Sequence, residues 1–505
     1  MFWTDVTSLP IESMNNRVVY CRAAKVAGGG SAVNGMTYDR GSARDYDDWG
    51  KYIGDSSWGW DGLLPYFKKL ETFTPPNAEQ VRQFGIEWDW NAHGTDGPIY
   101  SGFPPLIRNQ QKIFLEASRK AGVPVPKDGG AGLAVGAFWV PNNIKPGEWI
   151  RSYSKNGFHD AVKTRSNYKL LPEHQVTKVL FEGNTAVGVE YAQSATSGRL
   201  TVKAKKEVIL SAGGTHTPKI LQLSGVGDSR LLNQHKIPVV VDLPGVGNNL
   251  QDHGASSVQF QVTYPAEPAA PANLTRTVST GNFLSFYSFP MISPAKYKDQ
   301  VATALARDDT SYYRSGAHSS VVAGYKAQKS IMLPGFLTNE TGVHENTGSG
   351  GLVSPQRPLS RGYVEITSAN PFDPVNLAWR TISHPFDLTV AIEGTRFVRK
   401  LMNPSNFPSG ISPRELSPGA SVTTDEQLTT WIKGSMTPSF YHTSCSAHMG
   451  PREFGGVVDA KLKVYGTKGL RVADCSIIPM IPATHITNTV FAIAEKAADL
   501  IKADA

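Results

Sequence analysis

Between Glu207 and Gly227 the chain reads Glu-Val-Ile-Leu-Ser-Ala-Gly-Gly-Thr-His-Thr-Pro-Lys-Ile-Leu-Gln-Leu-Ser-Gly-Val-Gly, and this run limits the possible folds more than any other. A short apolar strand enters a tight turn at two glycines, where positive φ costs nothing. A helix is predicted from about Thr217 to Leu223, with Pro218 suited to its first turn. Its N-terminus faces back over the turn, an arrangement that favours an anionic ligand, although a crossover without ligand has the same pattern. Further strands are read at Tyr168–Leu171, Val176–Phe181, Ala186–Tyr191 and Val239–Leu243, and a buried one at Gly469–Asp474. Alternation of strand, glycine turn and helix argues for an α/β fold (α+β over the whole chain) with a largely parallel sheet.

The first sixteen residues carry no periodic pattern and read as irregular. A second glycine-rich stretch follows, Ala27-Gly28-Gly29-Gly30-Ser31-Ala32-Val33-Asn34-Gly35. Without Cβ atoms its backbone N–H groups could approach a phosphate, but alone it reads more readily as a flexible turn. Helices are expected at 106–122, 385–402 and 489–501. Residues 256–345 are rich in Pro, Ser, Ala and Tyr with weak periodicity, and read as a substrate-side region with long loops. Its aromatics Tyr264, Phe283, Phe286 and Tyr287 suit a core better than a pocket.

A net charge of +7 over 505 residues, with dispersed basic residues, gives no case for nucleic acid. No apolar run of about 18 residues marks a membrane span. Three cysteines are too few for a disulfide framework. No signal peptide is read; the compartment stays open, with the cytoplasm slightly favoured over secretion.

Two C-terminal segments carry chemistry. Tyr441-His-Thr-Ser-Cys-Ser-Ala-His448 spaces His442, Cys445 and His448 three apart, yet no second cluster offers a fourth ligand, so no metal site is expected. A neutral imidazole can take a hydroxyl proton near neutral pH, and the pairing of His442 with His485, just before the last helix, favours acid–base work. No Gly-x-Ser-x-Gly elbow supports serine hydrolysis.

Together these segments resemble the glucose–methanol–choline (GMC) oxidoreductase family. Ala24 to Gly41 looks like its first signature and Gly213 to Gly227 like its second. Pro244-Gly-Val-Gly-Asn-Asn-Leu-Gln-Asp-His253 matches the segment that normally follows. His93-Gly-Thr-Asp-Gly-Pro98, Ser360-Arg-Gly-Tyr-Val364 and the run from Tyr441 to Ile501 are also similar, in the family's order along nearly the whole chain. The resemblance implies an FAD-binding three-layer domain and a second, antiparallel-sheet-plus-helices substrate domain. Residues 1–255 would form the FAD domain with cap-like insertions at about 60–150. Residues 256–440 would bind substrate, and 441–505 would return to the FAD domain.

The resemblance further implies that Gly28, Gly29, Gly30, Ser31 and Asn34 line the pyrophosphate and flavin, that the Val176 backbone meets the adenine, and that Asp474 lies near the ribityl and pyrophosphate part. His442 would remove the hydroxyl proton of a small-molecule alcohol while FAD accepts hydride, and His485 would orient the alcohol oxygen. A dehydrogenase in secondary-metabolite biosynthesis is expected; an oxidase passing electrons to O2 is the alternative. Gly30 and Gly214 depart from the family's usual residues and are expected to loosen the cofactor loop. The family's opening Gly-x-Gly-x-x-Gly βαβ unit has no counterpart here, so the FAD domain reads as N-terminally incomplete. A cofactor-free, binding-only relative is therefore a further alternative.

Overall fold

A computed structural model describes residues 3–267, 281–347 and 350–504. The run at 207–227 folds much as its pattern demands. Val208–Leu210 pairs in parallel with Leu470–Val472, and the helix begins directly at the glycines, spanning Gly213–Leu223. This helix packs on a three-stranded antiparallel sheet of Leu200–Lys203, Thr185–Ala192 and Gln175–Glu182. Glu182 pairs with Thr185 across the two-residue loop Gly183–Asn184, and Gly183 at φ 60° supplies the positive φ that such a hairpin requires. Parallel ladders in the described residues are short two-stranded pairs, Val208–Leu210 with Leu470–Val472, Val226–Gly227 with Val241–Asp242 and Glu71–Thr74 with Ile99–Gly102, so the largely parallel sheet expected from the pattern is not formed among them.

The second sheet is antiparallel throughout, in the order Ser256–Ser257, Leu352–Pro355, His344–Thr347, Phe283–Tyr287, Gly136–Trp139. Its last strand comes from the 60–150 stretch rather than from 256–440. The helix Pro385–Leu401 backs this sheet, and so closely that a Cβ on Gly394 would meet the His344 ring at 2.1 Å. Phe283, Phe286 and Tyr287 are buried core, as their type suggested. The region read as loop-rich holds two further helices, Tyr297–Ala306 and Ser319–Met332, whose buried faces are interrupted by small and polar residues that blur the period.

Two other readings are corrected. Trp3–Thr7 is a strand paired antiparallel to Tyr20–Ala24, an ordering that depends on a distant partner rather than on local pattern. Tyr168–Leu171 forms no strand; Tyr168, Leu170 and Leu171 are solvent-exposed.

A buried ionic junction joins the helix Ala43–Ile53 to the chain just after the strand Leu352–Pro355. Arg357 lies 3.2 Å from Asp45 and 3.0 Å from Asp48, with all three side chains fully buried. Asp45 also accepts from the Ala483 N–H at 3.2 Å, which fixes the chain two residues before His485. Among the described residues no helix is long and apolar enough to cross a membrane.

Candidate active site

Asp252 builds the His442 side of the site. This buried carboxylate accepts from the backbone N–H groups of His253 (2.8 Å), His442 (3.1 Å) and Phe440 (3.2 Å). It also accepts from the Ser439 and Thr443 hydroxyls at 2.6 and 2.5 Å and from the Trp379 indole at 3.1 Å. A loop carrying a non-glycine residue at positive φ, Tyr441 at 66°, is thereby held in one shape. Burial pushes the Asp252 carboxyl up to about 6, and these donors oppose that rise.

The two histidines meet. Their ring centroids are 5.4 Å apart at an interplanar angle of 86°, and Phe440 touches both rings. Their electrostatics differ sharply. His442 is 8% exposed, and its pKa falls well below the usual value through burial first, then through the facing His253 and His485. Burial alone would lower His485 too, but Asp39 and then Glu345 outweigh it and raise its pKa to about 9. Asp39 Oδ2 lies 3.2 Å from His485 Nδ1 and accepts its backbone N–H at 3.1 Å. Glu345 Oε1 lies 3.5 Å from Nε2. At neutral pH the site therefore presents one neutral and one charged imidazole.

The glycine turn reaches the same place. Gly28 and Gly29 have φ of 103° and 53°, and a side chain built at Gly29 or Gly30 would meet nothing within 4 Å, so this backbone is open. The Ser31 hydroxyl donates to the Gly28 carbonyl at 2.6 Å. Asn34 donates to Thr487 Oγ1 at 3.0 Å, two residues beyond His485, and Arg151 donates to both the Asn34 side chain and its carbonyl. Asp474 closes its strand by accepting from Gly213 N–H (2.8 Å), Thr217 Oγ1 (2.6 Å) and Ser476 N–H (2.7 Å), so it joins the parallel pair to the helix N-terminus. Val176 stands apart on the antiparallel sheet, paired with Tyr191. Gly214 is there for close approach: a Cβ would sit 2.4 Å from the Thr443 carbonyl oxygen. It tightens the packing next to His442 instead of loosening the loop.

Asp39, Asp252, His253 and Glu345 escaped the sequence reading as site residues. Asp39, Asp252 and His253 lie inside quoted motifs, which was the available signal; Glu345 sits on a strand with none. His448, which the spacing linked to His442, lies within 3.3 Å of the Tyr52 hydroxyl instead.

Comparison with known proteins matches the GMC oxidoreductase description to residues 6–255 and, through its C-terminal part, to residues 358–494. The chain belongs to the GMC oxidoreductase family. Among its GMC relatives is the dehydrogenase xptC of Emericella nidulans, 36% identical across 99% of this chain and 84% of that protein. An oxygen-dependent choline dehydrogenase of Pseudomonas fluorescens is 33% identical across 98% of this chain and 82% of its own length. An FAD-dependent oxidoreductase from Chaetomium thermophilum superposes with a TM-score of 0.94 at 37% identity, covering 100% of this chain and 90% of its own. A fungal aryl-alcohol oxidase gives 0.90 at 34% identity, covering 99% and 89%. The two-domain GMC architecture and its flavin cofactor, FAD, are thus those of this family. The residues present fit such a group: the open glycine backbone can lie against a diphosphate, and Arg151, beside it, pairs with no carboxylate among the described residues.

Proposed function

We propose that this protein takes a hydride from the CH–OH carbon of a small alcohol, and that it acts as a dehydrogenase tailoring a secondary metabolite. The observation that carries this reading is the facing pair of histidines held in opposite charge states. When bound, FAD supplies the hydride acceptor at its N5. Gly28, Gly29, Gly30, Ser31 and Asn34 would hold its pyrophosphate and flavin end. Asp474 would act near the ribityl chain through the helix end it caps, and the Val176 backbone would meet the adenine.

The chain's own chemistry is proton handling. Neutral His442 receives the hydroxyl proton as hydride leaves the adjacent carbon. Cationic His485 attracts the oxygen as it gains negative charge, a stabilisation that grows toward the transition state. Asp39 keeps that cation in place. Holding the alcohol between the two rings supplies the orientation that a reaction in solution lacks.

Anaerobic mixing of the purified yellow protein with 4-methoxybenzyl alcohol, an aryl alcohol chosen because an aryl-alcohol oxidase is structurally close, should bleach the flavin absorbance. His442→Ala should retain flavin and slow the bleaching by about 10²–10⁴. Bleaching at the parental rate would remove His442 as the base. Peroxide formed stoichiometrically with turnover in air would turn the reading from dehydrogenase to oxidase. Protein that is colourless and takes up no added FAD would overturn the enzyme reading in favour of a binding role.

A further inference from the structure

The Pro244–His253 segment ends in two residues that both serve His442, one through the backbone and one through the ring. Asp252 takes the His442 N–H, while the next side chain, His253, brings its Nδ1 to 2.8 Å from His442 Nδ1. His253 is fully buried, and the rings cross at 85° with centroids 5.0 Å apart. The other nitrogen of His442, Nε2, makes no hydrogen bond among the described residues.

Two neutral rings sharing one N···N contact must divide the roles: one nitrogen carries hydrogen and the other a lone pair. A contact between two protonated nitrogens is excluded by repulsion, and burial together with the charge on His485 keeps His253 neutral, with its pKa pushed down to about 3. The contact and the free nitrogen of His442 together decide the division. The Nε2 of His253 is sealed from solvent and makes no hydrogen bond among the described residues. Besides His442, the groups that act on this ring are the charged His485 and Asp39 and the backbones of Gln356 and Pro482, and the two backbones favour a hydrogen on it. With its Nδ1 held by His253, His442 has Nε2 as the nitrogen left for an alcohol, and a base needs its lone pair there and its hydrogen on Nδ1. The hydrogen of His253 therefore belongs on Nε2 and its lone pair on Nδ1.

We propose that His253 is a positioning residue that fixes the tautomer of His442, holding the hydrogen of His442 on Nδ1 so that the Nε2 lone pair faces the substrate. The opposite tautomer would present an N–H to the alcohol and could not accept its proton. During proton transfer the alcohol O–H bond breaks and an N–H bond forms at His442 Nε2. The hydrogen on Nδ1 stays in place, and its bond to His253 becomes charge-assisted because His442 is now an imidazolium. His253 thus stabilises the protonated base more than the resting one, which is the difference that accelerates a reaction. This inference rests on the reading of His442 as the base, but the tautomer itself can be observed separately.

The test is long-range 1H–15N correlation on the flavin-loaded protein labelled with 15N at histidine, with the His442 signals identified by their loss in His442→Gln. The expected result is a protonated Nδ1 and an unprotonated Nε2 on His442, and the reverse on His253. A protonated Nε2 on His442 overturns the proposal whatever the activity. As a second arm, His253→Asn retains a side-chain oxygen able to accept from His442 Nδ1, whereas His253→Leu does not. With flavin content matched, His253→Leu should slow flavin bleaching by 4-methoxybenzyl alcohol by roughly 10–100-fold, and His253→Asn should restore most of it. Equal rates for both variants and the parent protein would also overturn the proposal. If the tautomers are as expected but His442→Gln bleaches normally, the positioning stands and the assignment of His442 as base falls.

Discussion

At the scale of single residues, the site depends on what surrounds each imidazole. His442 and His485 were legible in the sequence because both stand in motifs, but their difference was not, since it comes from Asp39, Glu345 and His253, more than a hundred positions away in each case. Chain folding alone brings a carboxylate from residue 39 and another from residue 345 to the same ring. This leads to a prediction for Asp39→Asn. Removing the nearer carboxylate leaves burial less opposed, so the His485 pKa drops from about 9 toward or below the usual range. If His485 acts as a cation, the alkaline limb of the flavin-reduction profile should then move to lower pH, as read by stopped-flow across pH 6–10. An unmoved limb would show that the charge on His485 is not used. His485→Asn should be milder than His442→Ala, because an amide can still donate to the alcohol oxygen; the two rates measured side by side check the ranking.

At the scale of elements, the most informative piece is the helix Gly213–Leu223, whose first turn lies against both Asp474 and the His442 loop. Its strand, turn and direction were readable from apolar run, paired glycines and proline. The reason for the second glycine was not, because it lies in the carbonyl of Thr443, far along the chain. Gly214→Ala has no room for its methyl group and must displace that carbonyl, which costs about 1–3 kcal/mol. A lower Tm by calorimetry together with slower flavin reduction is expected, since Thr443 adjoins His442. An unchanged Tm would mean that the loop yields freely. The strand Trp3–Thr7 teaches the opposite lesson: its pairing with Tyr20–Ala24 has no local signature, so pattern reading found only irregular chain.

At the scale of the whole molecule, buried histidines shape the response to pH. His253 and His344 are held near 3, His216 and His448 near 4, and His442 well below its usual value, each mainly by burial. Such groups take up protons in the unfolded chain before the folded one, so stability present above about pH 6.5 is lost as pH falls toward 4. The buried acids Asp45, Asp252 and Glu345, whose pKa values are raised by burial, work against this loss, but five histidines outnumber them. His485 has the contrary sign: its stabilisation is complete below about 6.5 and is lost as pH rises through about 9. Thermal unfolding should therefore be most resistant near pH 6–7 and decline toward both pH 5 and pH 9. A Tm flat across that span would contradict the buried, neutral state of these rings.

The ring of His485 also measures how much of the chain a single charge can depend on. Its two carboxylate neighbours come from the segment just after the glycine turn and from the five-stranded sheet, while the histidine itself comes from the chain's last fifty residues. No contiguous piece of chain shorter than about this whole span can assemble that charge. The charge on this ring therefore needs residues 39, 345 and 485 in place together, and a chain with any one of the three out of place holds it less firmly.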